Sequence, residues 1–197
     1  MSEHEAAVQF EQEHAQEIAA EHGKGFELVD AAEEEKARLE LPVAAEAAAP
    51  AVIAEEVERI SPLQKISRLS VGERVKLAFL GNKEERAILI RDGSRIVSSA
   101  VMSSPKLTEQ EIENIAGMKN VQESVLRDIA RSRKFMKSTV VVRNLVNNPR
   151  CPLDISLNLV KRLIVTDLNL LSKNKGIPET LRKVANKALK EKQGPQR

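Results

Sequence analysis

The chain has 197 residues, with 31 Lys/Arg against 29 Asp/Glu, one cysteine, and neither Trp nor Tyr. A single cysteine, Cys151, excludes an internal disulfide framework and any zinc site built from several cysteines. The net charge of +2 conceals an asymmetry, because residues 1–60 hold sixteen acidic against four basic side chains, and residues 61–197 hold 27 basic against 13 acidic. That division is the pattern of an acidic tail on a basic domain.

Residues 1–60 are rich in Ala and Glu and are interrupted by Pro42 and Pro50. Their few large apolar side chains are a poor offset for the entropy of ordering, so a mostly disordered tail is expected there. The segment combines no basic stretch with a continuous apolar run, so no secretory signal is expected. Apolar runs such as Val140–Val142 are far too short to span a bilayer. A reducing, cytoplasmic setting is the expectation.

Order is expected from Ser61, in an all-helical repeat domain over 61–190, with 191–197 a disordered end. Ser61 is a suitable N-cap, and Pro62 takes the first helical position, where its missing N–H costs nothing. Ser70 and Glu73 have the spacing of a capping box opening VGERVKLAFL, which Gly81-Asn82 closes. A short helix over Lys83–Arg91 is expected next, ended near Asp92-Gly93. Ser94 then caps a helix through Ile96, Val97, Ala100 and Val101 that stops before Pro105.

Thr108 and Glu111 form a second box, with Ile112, Ile115 and Ala116 on one face. Gln122–Arg131 follows with Val125, Leu126, Ile129 and Ala130 inward. A longer helix is expected from about 133 to 146, stopped by Asn147-Asn148-Pro149. Pro152 opens another through Leu159, Val160 and Leu163, and Gly176 and Pro178 precede the last. Val140–Val142 has strand composition, but its neighbours keep helical spacing. The fold class is therefore all-α, in short helices.

Two internal echoes organise these helices. Shifted by 14 residues, Leu107 falls on Val121, Ile112 on Leu126, Ile115 on Ile129 and Ala116 on Ala130. Shifted by 44, SSPKLTEQEIENIA falls on NNPRCPLDISLNLV, with Pro105 on Pro149 and Leu107 on Cys151. A unit of that length suits a helical repeat in which each copy buries its apolar face on the next. The Asn-Asn-Pro-x-x-Pro turn followed by Leu-x-x-Ile-Ala helices resembles bacterial leucine-rich-repeat-variant and HEAT-like α-solenoids, including members without a characterised role. The resemblance covers about residues 70–190 and implies a short right-handed α-solenoid with a concave surface. The known leucine-rich-repeat-variant protein also carries a cysteine-ligated iron–sulfur cluster, which Cys151 alone is unable to hold. A compact orthogonal helical bundle is the competing architecture.

Catalytic constellations are not apparent. His4, His14 and His22 all lie before residue 60, so no His-based general base falls in the expected domain. Glu109, Glu111 and Glu113 sit in the first turns of a helix, where acidic groups complement its dipole. The glycines are single helix-ending residues and make no phosphate loop. No enzyme activity, cofactor or metal is expected. Cys151 before Pro152 reads as a small hydrophobe at a helix junction, or as a thiol if exposed near Arg150.

The broad functional signal is basic. Arg127, Arg131, Arg133, Lys134 and Lys137 crowd one helix junction, and Arg143, Arg150, Lys161 and Arg162 follow at similar spacing. In stacked repeats, corresponding turns project from one edge, so these residues are candidates for an interaction surface. The expected role is a non-enzymatic scaffold that binds a protein or peptide partner, modulated by the acidic tail. The alternative is backbone-directed, sequence-nonspecific binding of nucleic acid by counterion release. With four phenylalanines as the whole aromatic complement, stacking on bases is a poor basis for recognition.

Overall fold

Side-chain capping sets six of the helix starts among the described residues. The structure, a computed structural model, describes residues 2–30 and 61–193. Among these residues every regular element is helical, and none of the helices is long and apolar enough to cross a membrane. They fall into two compact units, Met1–Lys106 and Leu107–Arg197.

The first unit holds α1 (Glu3–Glu13), α2 (Ala15–Glu21), α3 (Pro62–Ser67), α4 (Val71–Leu80), α5 (Lys83–Leu89) and α6 (Arg95–Ser103). The expected cap at Ser61 and box at Ser70 form, each side-chain oxygen accepting from the N–H three residues on, and Gln64 completes a box at Ser61 as well. Asn82 starts α5 with a further box to Glu85, so it opens a helix as well as ending the one before. Val71, Val75, Ala78 and Phe79 of α4 are buried with Ile96, Val97, Ala100 and Val101 of α6. These stripes follow the 3.6-residue period and pack α4 on α6.

The expectation of a disordered tail over residues 1–60 fails for residues 2–30, and residues 31–60 lie outside the described residues. Ser2 and Glu5 cap α1 in a reciprocal box, and Ala6, Ala7 and Phe10 pack against α4. The ring of Phe10 lies 5.5 Å from that of Phe79. Beyond α2 the chain is stitched to the α5–α6 turn, with the Val29 N–H donating to the Arg91 carbonyl at 2.8 Å and Gly93 N–H to Glu27 at 2.6 Å.

A buried ionic group anchors this stitch. Arg74 Nη1 donates to Asp92 Oδ2 at 2.6 Å, with both side chains fully buried. Arg74 Nη2 donates to the Lys24 carbonyl at 3.0 Å, and the guanidinium lies 5.6 Å from the centre of the Phe26 ring. Ser94, expected as a capping side chain, makes no cap bond and donates its hydroxyl to Glu21 instead. The cost of burying Arg74 is offset in part by one carboxylate and by one carbonyl of the N-terminal segment, while its Nε is buried without a partner.

The second unit holds α7 (Glu109–Gly117), α8 (Glu123–Arg131), a 3₁₀ turn (Phe135–Lys137), α9 (Thr139–Asn147), α10 (Leu153–Val160), α11 (Val165–Lys173) and α12 (Glu179–Gln193). The 14-residue echo is the pair α7 and α8, each nine residues long. The 44-residue echo recurs in helix boundaries. Ser94 and Ser138 are N-caps, Ser104 and Asn148 are C-caps, and each pair stands 44 apart.

Three boundaries differ from expectation. The helix expected over 133–146 is split, because Ser138 takes an extended conformation and caps α9 through the Val141 N–H. The helix expected through Leu163 ends at Val160, and α11 starts anew after Ile164. No Gly, Pro or polar cap marks that break, so the apolar run Leu163–Val165 concealed it. At the other end, α12 runs to Gln193, so helix replaces the expected disorder over 191–193, while 194–197 lie outside the described residues.

In each unit some helices pack on the next but one, although the most extensive packing is between the neighbours α11 and α12. In the first, α3 packs on α5 and α4 on α6; in the second, α7 packs on α9 and α10 on α12. Side-chain donors reinforce that order by reaching back to carbonyls some two helices earlier. Asn148 Nδ2 donates to Ala116 at 2.9 Å and Met118 at 2.8 Å, Asn144 to Glu113 at 2.8 Å, and Lys192 to Leu163 at 2.7 Å. In the first unit Lys106 Nζ does the same to Leu80 at 3.1 Å. Of these acceptors, Ala116 and Leu80 are last-turn carbonyls that lack a partner within their own helix.

Candidate interaction surface

The nine basic residues singled out from sequence all lie in the second unit, and their surroundings divide them. Helix α8 buries Val125, Leu126 and Ile129, which turns Glu123, Arg127, Asp128 and Arg131 away from the core. Arg127 is then neutralised twice, by Glu123 Oε1 at 2.8 Å and Asp154 Oδ2 at 3.4 Å. Arg131 lies 3.7 Å from Asp128. These two arginines line an open cleft of about 310 Å³ between α8 and α10, over Ala130, Ile155 and Leu159. Its two arginines meet three carboxylates, so it is not the cationic surface that the sequence suggests.

Two other members also act within the fold. Arg143 Nε lies 2.8 Å from Asp167 Oδ1, with that carboxylate buried, and so ties α9 to α11. Arg150 is half-buried in the turn before α10, its N–H donating to Asn148 Oδ1 at 3.0 Å.

The remaining five come together. After Ser132 the chain passes Arg133 and Lys134 and winds into the 3₁₀ turn, where Met136 is buried and Lys137 is exposed. Arg162, just past the end of α10, donates Nη2 to the Met136 carbonyl at 2.5 Å. That bond joins the turn holding Lys161 and Arg162 to the 3₁₀ turn, whose chain neighbours are Arg133, Lys134 and Lys137. Lys134 Nζ lies 5.7 Å from the centre of the Phe135 ring, which favours a cation over its face. All five side chains are exposed, and none has an acidic partner in ion-pair range among the described residues. Uncompensated charge of one sign on a single edge raises the local concentration of oppositely charged partners.

Sequence reasoning missed the acids that subtract from this surface. The Glu123–Arg127 pair had a readable i,i+4 spacing. Asp154 and Asp167 are brought to Arg127 and Arg143 by packing alone. It also missed an apolar component, since Val140, Ile164 and Val165 are large exposed hydrophobics in the same unit.

Cys151 is buried, and burial pushes its thiol up from the ordinary value, against the hydrogen bond with Ser156 that lowers it. A thiol so held is a poor nucleophile and a poor redox sensor. Arg150, its neighbour in sequence, is not among the groups that influence it.

Comparison with protein-family models finds no match, and comparisons with curated proteins and with solved structures find none either.

Proposed function

We propose that this protein is a non-enzymatic interaction scaffold whose second unit binds an acidic protein partner through Arg133, Lys134, Lys137, Lys161 and Arg162. The observation that carries the reading is the Arg162–Met136 bond, which joins two separate turns into one uncompensated cationic edge. The architecture proposed for each unit is a short right-handed α-solenoid of HEAT-like or leucine-rich-repeat-variant-like repeats. Next-but-one helix packing and the back-reaching Asn148, Asn144 and Lys192 bonds support it.

Nucleic-acid backbone is the second reading, since phosphates are attracted by the same five charges. Exposed aliphatic side chains on the same unit favour a protein, because a phosphodiester backbone offers them nothing to cover. Phe10 and Phe79 are buried in the first unit, and Phe135 at the edge is half-buried under Lys134, so the edge offers a base at most one ring. Modulation by the acidic residues of 31–60 belongs to the same proposal.

The test uses the full chain, because removing residues 1–60 also removes Phe10, Leu28 and the Lys24 carbonyl from the first unit. Binding of a labelled Asp/Glu-rich peptide and of a labelled DNA duplex is followed by anisotropy across a salt series. The proposal expects peptide binding that weakens with salt and exceeds duplex binding at each concentration. Tight duplex binding with no peptide binding overturns it. Changing the glutamates of 31–60 to glutamine tests the modulation, which expects tighter peptide binding.

A further inference from the structure

Beside the cationic edge lies a small depression of about 80 Å³. Buried Val142 and Leu163 supply its floor, Ile164 and Thr139 are exposed at its margin, and Arg162 lines it together with the Arg143–Asp167 pair. The depression is small, on the scale of a single aliphatic side chain.

Ile164 is the informative residue. It is the N-cap of α11, a position where Ser, Thr, Asp or Asn supplies an oxygen to the first turn, and it makes no cap bond. Its side chain is 53% exposed, with Val165 at 39% beside it in the chain. Folding gains neither a cap nor full burial from this residue. Local rules broken without a folding benefit are concentrated at functional sites. Arg162 reaches the Met136 carbonyl through Nη2, and a guanidinium fork is the group best matched to a carboxylate.

We infer that this depression is a specificity pocket for one aliphatic residue of an acidic peptide, with flanking carboxylates held by Arg162, Lys161 and Lys137. The inference rests on the proposed binding of an acidic protein partner and names the feature of that partner that is read. Charge complementarity supplies attraction along the edge, and the pocket supplies register. A partner with the acidic residues but no aliphatic one is held loosely and released by modest salt.

The experiment compares two labelled Asp/Glu-rich peptides, identical except for a central Leu or Ser, on the wild-type chain and on Ile164→Ser. The Leu peptide is expected to bind roughly ten-fold more tightly than the Ser peptide, a difference of about one buried aliphatic side chain. Ile164→Ser is expected to erase that difference while raising the thermal unfolding midpoint, because serine is the better N-cap. The rise in stability separates loss of the pocket from loss of the fold. Equal affinity of the two peptides for the wild type overturns the pocket and leaves the cationic edge standing. An unchanged Leu preference in Ile164→Ser overturns it too. Failure of both peptides to bind at low salt removes the edge, and the pocket with it.

Discussion

Arg74 and Asp92 meet at 2.6 Å with both side chains fully excluded from water. Asp92 belongs to the turn between α5 and α6, and Arg74 to the middle of α4, so the pair joins elements that also receive the N-terminal segment. Breaking a buried pair from one side leaves the other charge without compensation. Arg74→Met should therefore cost about 3–5 kcal/mol in urea unfolding. A loss below about 1 kcal/mol would show that the pair is incidental to the first unit.

The same pair gives the first unit a pH dependence. Burial pushes the Asp92 carboxyl up to about 6, against the Ser94 N–H and the Arg74 guanidinium that pull it down and with the Glu21 charge that adds to the rise. A carboxyl whose folded value lies above its unfolded value of 3.8 binds more protons in the folded state between those two values. Its contribution to stability is full below 3.8 and is lost as the pH rises through about 6. Glu21 runs the other way. Burial works to raise it, but the bonds from Ser94 and Lys24 prevail and hold it low, so its contribution falls away in acid. A carbon-13 titration of the native Asp92 carboxyl should have its midpoint near 6, and an ordinary carboxylate midpoint would refute this account.

Phe10 offers a direct check on the N-terminal helices. It packs on Phe79 at 5.5 Å and on the His14 ring at 4.3 Å. Phe10→Ala should lower stability by about 3 kcal/mol or more, within the range for buried aromatic deletions. Backbone amides of Ala6–Phe10 should exchange slowly. Free exchange there would restore the view of this segment as a tail.

What composition concealed at that end is instructive. Helix α1 presents only Ala6, Ala7 and Phe10 to the core, and α2 buries nothing. Such a helix is marginal alone, and its order depends on Phe79 and Arg74, far along the chain. Elements whose signals are local were legible. Ser70 with Glu73 and Thr108 with Glu111 each announce a helix start within four residues. The α10–α11 break was not, because Ile164 carries no capping signal. The basic candidates were visible as a list, but Asp154 and Asp167 act on Arg127 and Arg143 only through packing.

Gly81 should resist substitution. A Cβ there would lie 2.5 Å from the Leu77 carbonyl oxygen and 2.7 Å from Glu85 Oε2, at the junction of α4 and α5. Gly81→Ala should be destabilising by about 1–3 kcal/mol, the usual cost of overpacking. Gly23→Ala, with open space around it, should change stability by less than about 0.5 kcal/mol. Equal effects at the two sites in chemical denaturation would contradict the packing described at Gly81.

One cationic edge, rather than overall charge, is the proposed site for an acidic partner. Lys137→Glu with Lys161→Glu reverses two members of that edge. Lys187→Glu with Lys190→Glu makes the same change in net charge on exposed positions of α12. The deciding measurement is the affinity of an Asp/Glu-rich peptide for both variants at low salt. A loss of roughly ten-fold or more is expected for the first pair and little change for the second. Equal losses from both would contradict it, and would reduce the surface to diffuse positive charge.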